Sequence, residues 1–169
     1  MIVLTEGRLA FNFAGSCQAA KYDDWVFFRN QFQNTCGGAK AVDMVFISNN
    51  TSWLIEVKDY RQHKRTKPQD IGEEVAIKVR DTLAGLVAAK MNSNHPDEKQ
   101  FAKKALQSKL IKVVLHLEQP LKHSKLFPRA IDPAAVKQTL KHKLKAIDAH
   151  PFVVNKYNLS LDMDWTVTG

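Results

Sequence analysis

Long apolar runs are missing from this chain of 169 residues. None approaches the roughly 20 residues that cross a bilayer, so no membrane-spanning helix is expected. Cysteine is scarce: Cys17 and Cys36 are the whole supply. Two thiols are too few for a disulfide framework, and their spacing suits no metal. They read as buried or idle thiols of a cytoplasmic protein. The opening MIVLTEGRLAFNF lacks a basic start and a long apolar core, so no signal peptide is read. Internal repeats, low-complexity tracts and domain linkers are absent as well. His63, His116, His123 and His142 have no zinc spacing and read as surface or packing residues. Acidic residues are in deficit, 17 against 25 Lys and Arg, which leaves a net charge of +8.

Hydrophobic residues make up 44% of the chain and aromatic ones 9%, a globular balance rather than a disordered one. The length suits one domain over residues 1–169. The positive balance favours an anionic partner, most simply nucleic acid. A merely soluble basic protein is the bland alternative. The charge is uneven. From Lys109 to Lys145 nine Lys or Arg face only Glu118 and Asp132, whereas the first forty residues are close to balanced.

The apolar periodicity divides the chain into elements. Residues 8–13 alternate as a strand does, and 16–32 read as a helix with Tyr22, Trp25, Val26, Phe28 and Phe32 on one side. Segments 41–47 and 52–60 are β-rich runs. A basic loop, RQHKRTKP, follows at 61–68. Asp70 with Glu73 resembles a capping box, and Ile71, Val75, Val79, Leu83 and Leu86 carry a helical stripe to about Lys90. A short helix is expected over 97–108, a strand over 109–118 and a basic loop from Gln119 to Ile131. Asp132 and Pro133 start a last helix, buried along Val136, Leu140, Leu144 and Ile147. PFVV, 151–154, closes the series as a strand. Strands interleaved with long helices imply α/β layers around a mixed sheet.

The stretch DMVFISNNTSWLIEVKDYR, 43–61, places charges inside two apolar strands. If Asn49-Asn50 is a two-residue turn, Ser48 faces Thr51, Phe46 faces Trp53, Val45 faces Leu54 and Met44 faces Ile55. The next pair is Asp43 with Glu56, and Lys58 projects from the same face. Opposed carboxylates repel, and a divalent cation between them is the simplest relief. The alternative is a triad in which Lys58 bridges the two acids. Because Val45, Ile47 and Leu54 share that face, the metal reading is carried forward.

An Asp at a strand start, a hairpin, and Glu-x-Lys after an apolar run resemble the PD-(D/E)XK nuclease superfamily, WLIEVKDYR most of all. The resemblance implies a restriction endonuclease-like three-layer α/β/α sandwich with a central mixed β-sheet. It implies a metal-dependent nuclease, an Mg-dependent phosphodiesterase acting on DNA, most simply an endonuclease. A catalytically inactive nucleic-acid-binding module, or a subunit of a larger DNA-processing assembly, is the alternative. Val42 stands where many members have proline. Many members also carry an acid on an earlier helix; Asp23, Asp24 and Glu6 are candidates, with Asp24 favoured.

By that resemblance Asp43 and Glu56, with the Val57 carbonyl, hold Mg²⁺ or Mn²⁺, and Lys58 orients the attacking water or stabilises the transition state. Arg61, His63, Lys64 and Arg65 follow the motif strand and are expected near the nucleic acid. Lys137, Lys141 and Lys145, spaced i, i+4, i+8, form a second stripe, with Lys122, Lys125 and Arg129 close in sequence. A homodimer follows by analogy only.

Overall fold

A computed structural model describes residues 1–15, 17–120 and 131–169. Two sheets carry the architecture. In the smaller one, β1 (Ile2–Glu6) and β2 (Leu9–Phe13) form a hairpin around Gly7, whose φ of 57° suits a residue without Cβ. β8 (Trp165–Thr168) pairs with the free edge of β2, and all three strands are antiparallel. Leu9, Phe11 and Phe13 alternate inward along β2 and are wholly buried.

The central sheet has the order β3-β4-β5-β6-β7. Its strands are β3 (Gln18–Lys21), β4 (Met44–Ser48), β5 (Thr51–Asp59), β6 (Leu110–Glu118) and β7 (Phe152–Val154). β4 runs antiparallel to both of its neighbours, β3 and β5, while β5, β6 and β7 are parallel. The sheet is therefore mixed, as the interleaved pattern requires. Parallel pairing of β5 with β6 needs a crossover, supplied by α1 (Ile71–Asn92) and α2 (Pro96–Gln107). The helix α3 (Pro133–Leu144) leads into β7 in the same way.

The caps are those the sequence announces. The Asp70 side chain accepts from the Glu73 amide at 3.0 Å, and that of Asp132 accepts from Ala134 at 3.0 Å. The hairpin register also matches: Met44 lies opposite Ile55, Val45 opposite Leu54, Phe46 opposite Trp53 and Ser48 opposite Thr51. Asn49 and Asn50 have φ of 47° and 58°, the left-handed pair a two-residue primed turn demands.

Two cores sit on the two faces of the central sheet. On one, Val45, Leu54, Val113 and Leu115 meet the apolar stripes of α1, α2 and α3. On the other, Met44, Phe46, Trp53 and Ile55 meet Leu9, Phe11, Phe13 and Trp165 from the small sheet. The α/β class stands, but the expected α/β/α layering does not. The helices that pack on the central sheet all belong to one core, and the opposite layer is an antiparallel sheet. Its third strand, β8, pairs with β2 from far along the sequence, so no local signal tied the layer together.

The expected helix over 16–32 is also corrected. Residues 18–21 form β3, which covers the edge of β4, and the Tyr22 amide extends that ladder to the Asp43 carbonyl at 3.0 Å. A tight 3₁₀ turn at 22–24 and a wider π-helical turn at 28–32 follow. Tyr22, Trp25 and Phe28 do gather, with ring centroids 4.9 and 5.5 Å from Tyr22. Their stripe mimicked one continuous helix, but sheet completion claimed its first turn. Tyr22 packs against α1 at Gly85, where an added Cβ would fall 2.0 Å from the Tyr22 hydroxyl. Lys122, His123, Lys125 and Arg129, expected in a basic loop, lie outside the described residues.

Candidate functional site

Alternation along β5 turns Trp53, Ile55 and Val57 toward the small sheet, and Leu54, Glu56 and Lys58 toward the helices. Glu56 thus lands under α1 with no exposed surface. Asp43 sits one residue before β4. Instead of continuing the ladder, its Oδ2 accepts the Val57 amide at 2.6 Å, so the side chain caps the end of the hairpin.

The charge of Glu56 is answered by two ammonium groups. Its Oε1 lies 2.5 Å from Lys58 Nζ and 2.6 Å from Lys78 Nζ. Lys78 also reaches Asp43 Oδ1 at 3.7 Å. One turn earlier on α1, buried Glu74 receives Lys67 at 3.0 Å, Arg65 at 2.7 Å and Lys58 at 3.5 Å. The network therefore alternates in sign from Asp43 through Lys78, Glu56 and Lys58 to Glu74, with Arg65 and Lys67 closing it.

Burial dominates the titration of its centre. It pushes Glu56 up to about 7, helped by the charge of Asp43 and opposed by Lys78 and Lys58. Burial also raises Asp43. For Glu74 burial pulls the same way, but hydrogen bonds from Lys67 and Arg65 prevail and hold it at about 2.

A second group of acids adjoins Asp43. Glu6 from β1, Asp23 from the turn at 22–24 and Asp43 bring carboxylate oxygens within 4.8 Å of one another. Burial, with the neighbouring acids, raises Asp23 to about 6, although the Lys21 charge opposes it. Its Oδ1 is buried and has no hydrogen-bond partner among the described residues. Lys21 pairs with Glu6 at 2.7 Å. Asp24, favoured from sequence as the third acid, is exposed and pairs with Arg29; Asp23 and Glu6 are the acids that approach Asp43.

The structure thus brings together Asp43, Glu56 and Lys58, and adds Lys78 and Glu74. Those two stand four apart on α1, beside the buried Val75 and Val79. That spacing is the one sequence signal that could have found them. Arg61 and Arg65, expected near the nucleic acid, each hold an acidic side chain of the protein. Arg61 grips Asp59 at 2.7 and 2.9 Å, and Arg65 holds Glu74 and the Tyr60 hydroxyl. Lys64 is exposed in the same loop. On α3, Lys137 and Lys145 are exposed and Lys141 half-buried; the helix has no acidic residue, and none of the three makes an ion pair among the described residues.

The chain is similar to a cysteine–tRNA ligase. That relative, from Neisseria meningitidis (serogroup A, serotype 4A), shares 36% identity over 176 aligned residues, covering 86% of this chain. The chain spans about a quarter, 25%, of the ligase's length. No family model matches the chain, and no solved structure does. The relative is a tRNA ligase rather than a nuclease, and this overturns the PD-(D/E)XK resemblance. With it fall the expected DNA endonuclease, its hydrolase chemistry and DNA as the favoured partner. The ion pairs supply the physical side of that correction. Glu56, one of the two carboxylates that suggested a metal-dependent phosphodiesterase, is already paired with Lys58 and Lys78. No helix is long and apolar enough to cross a membrane among the described residues.

Proposed function

We propose that this domain is a nucleic-acid-binding module that recognises tRNA or similarly folded RNA. The observation that carries the reading is the lysine row of α3, Lys137, Lys141 and Lys145, on a helix without an acidic residue. Such a row is suited to backbone phosphates, which position a nucleic acid without reading its sequence. The similarity to a cysteine–tRNA ligase supports RNA as the partner. The buried network under α1 then has a structural part, holding β5, α1 and the 61–69 loop together.

Fluorescence anisotropy with a tRNA transcript, across a salt series, tests this. Affinity should fall steeply as salt rises, through counterion release. Replacing Lys137, Lys141 and Lys145 together by Ala should lower the slope of log K against log salt by about 2–3. An unchanged slope and affinity would remove α3 from the interface and the reading with it.

We also propose that a divalent cation, Mg²⁺ or Mn²⁺, is accommodated by Glu6, Asp23 and Asp43. Three carboxylates within 4.8 Å offer the oxygen ligands such ions prefer, and the partnerless Asp23 Oδ1 fits a ligand atom. Glu56 and the Val57 carbonyl are left out of this set, because Glu56 Oε1 is held by two lysines. Added Mg²⁺ at about millimolar concentration should raise the melting temperature of the wild type and not of Asp23→Asn. Equal responses of the two proteins would dismiss the site.

A further inference from the structure

A cavity of about 410 Å³ opens between α1 and α3. Ala76 and Ile77 of α1 form one wall, and Leu144 with Ile147 the other. Its rim is charged: Lys143 pairs with Glu73 across the helices at 2.8 Å, and Arg80 lies on the α1 side. The Arg80 guanidinium is held by Asp81 at 2.9 and 3.0 Å, yet its side chain is 70% exposed. It is therefore oriented and still open to a ligand. The volume suits a small planar group rather than a protein segment.

Resting on the RNA-binding reading, we propose that this cavity receives an unpaired nucleotide of the RNA whose phosphates lie along α3. The helical period separates the two features. At about 100° per residue, Lys143 points roughly 120–160° away from Lys137, Lys141 and Lys145, and it is Lys143 that lies on the cavity rim. The two flanks are about 10 Å apart across the helix. The bases of a continuous duplex are stacked inside and cannot enter the cavity. A single-stranded tail or loop can cross the exposed turn at His142 and Ala146 and turn one base inward. There the aliphatic walls cover the face of the base. Arg80 supplies a planar cation that can stack on it or donate to its edge, the mode by which proteins take splayed RNA bases.

The test uses the full chain and two RNA probes: a hairpin stem carrying a short unpaired tail, and the same stem ending blunt. Wild type should bind the tailed probe about tenfold more tightly than the blunt one. Ala76→Leu, which fills the cavity and changes no charge, should remove most of that preference and leave blunt-stem affinity unchanged. Arg80→Ala should do the same; both variants should keep the wild-type melting temperature. Equal affinity of wild type for the two probes overturns the proposal. So does equal weakening of both probes by Arg80→Ala, which would make Arg80 a phosphate contact. If salt-dependent binding of both probes persists in these cases, the RNA-binding reading survives while the cavity loses its ligand. If neither probe binds, both fall together.

Discussion

Glu56, Lys58 and Lys78 form a unit in which each charge is held in a dry place by the others. Lys58 and Lys78 both reach Oε1 of Glu56, whose other oxygen has no partner among the described residues. Removing one member of such a set strands the rest, at a cost of about 3–5 kcal/mol. Lys78→Met should therefore destabilise, since Asp43 and Glu56 share that lysine. Glu56→Gln should cost far less at pH 8, because burial already works against the ionised carboxyl there. The double variant should cost less than the sum of the two single ones. Urea unfolding of the four proteins at pH 8 checks this; strict additivity would mean that the pair is not coupled.

At the scale of elements, the crossing of α1 and α3 depends on Gly72. A glycine near the start of a helix would ordinarily be improved by alanine, by up to about 1 kcal/mol. Here a Cβ would lie 2.8 Å from both Cβ and Cγ2 of Thr139 on α3. Overpacking of that kind costs about 1–3 kcal/mol, so Gly72→Ala should destabilise. Adding Thr139→Ala, which removes Cγ2, should recover part of the loss. Thermal melts of the single and double variants decide it; a stabilised Gly72→Ala would show that the helices can part without cost.

For the whole molecule, the shifted carboxyls set the pH dependence of stability. Glu74 titrates at about 2 in the folded state, below its ordinary value of 4.5. The fold then binds fewer protons than the unfolded chain, so its contribution is complete above pH 4.5 and drains as pH falls toward 2. Glu56 works in the opposite direction. Its folded value of about 7 lies above 4.5, so its contribution is full below pH 4.5 and is lost as pH rises to 7. Together they place the stability maximum on the acid side of neutrality. Denaturant midpoints measured from pH 3 to 8 should show it, with Glu74→Gln flattening the acid limb and Glu56→Gln the neutral one. A maximum at pH 8 in the wild type would contradict the Glu56 assignment, and an unchanged acid limb in Glu74→Gln the Glu74 one.

Local chemistry by itself determined the hairpin, its Asn49-Asn50 turn and the caps at Asp70 and Asp132, because each rests on residues a few positions apart. The period of two along β5 likewise put Glu56 and Lys58 on one face, and the spacing on α3 marked its lysine row. Contacts across long stretches of chain decided the rest. β8 joins β2 from the far end of the sequence, and no periodicity foretells a partner at that separation. Residues 18–21 became a strand because the edge of β4 needed pairing, a demand that their own helix-like pattern does not register. The acids around Asp43 show the same division. Asp23 and Asp24 are equivalent in sequence, and the fold turned Asp23 inward and Asp24 to Arg29. Lys78 arrives from α1, across 22 residues, to meet a carboxylate whose strand context had suggested a metal. A buried charge requires a partner, and the requirement is legible in the chain. Which cation answers it is settled only when helix and sheet pack.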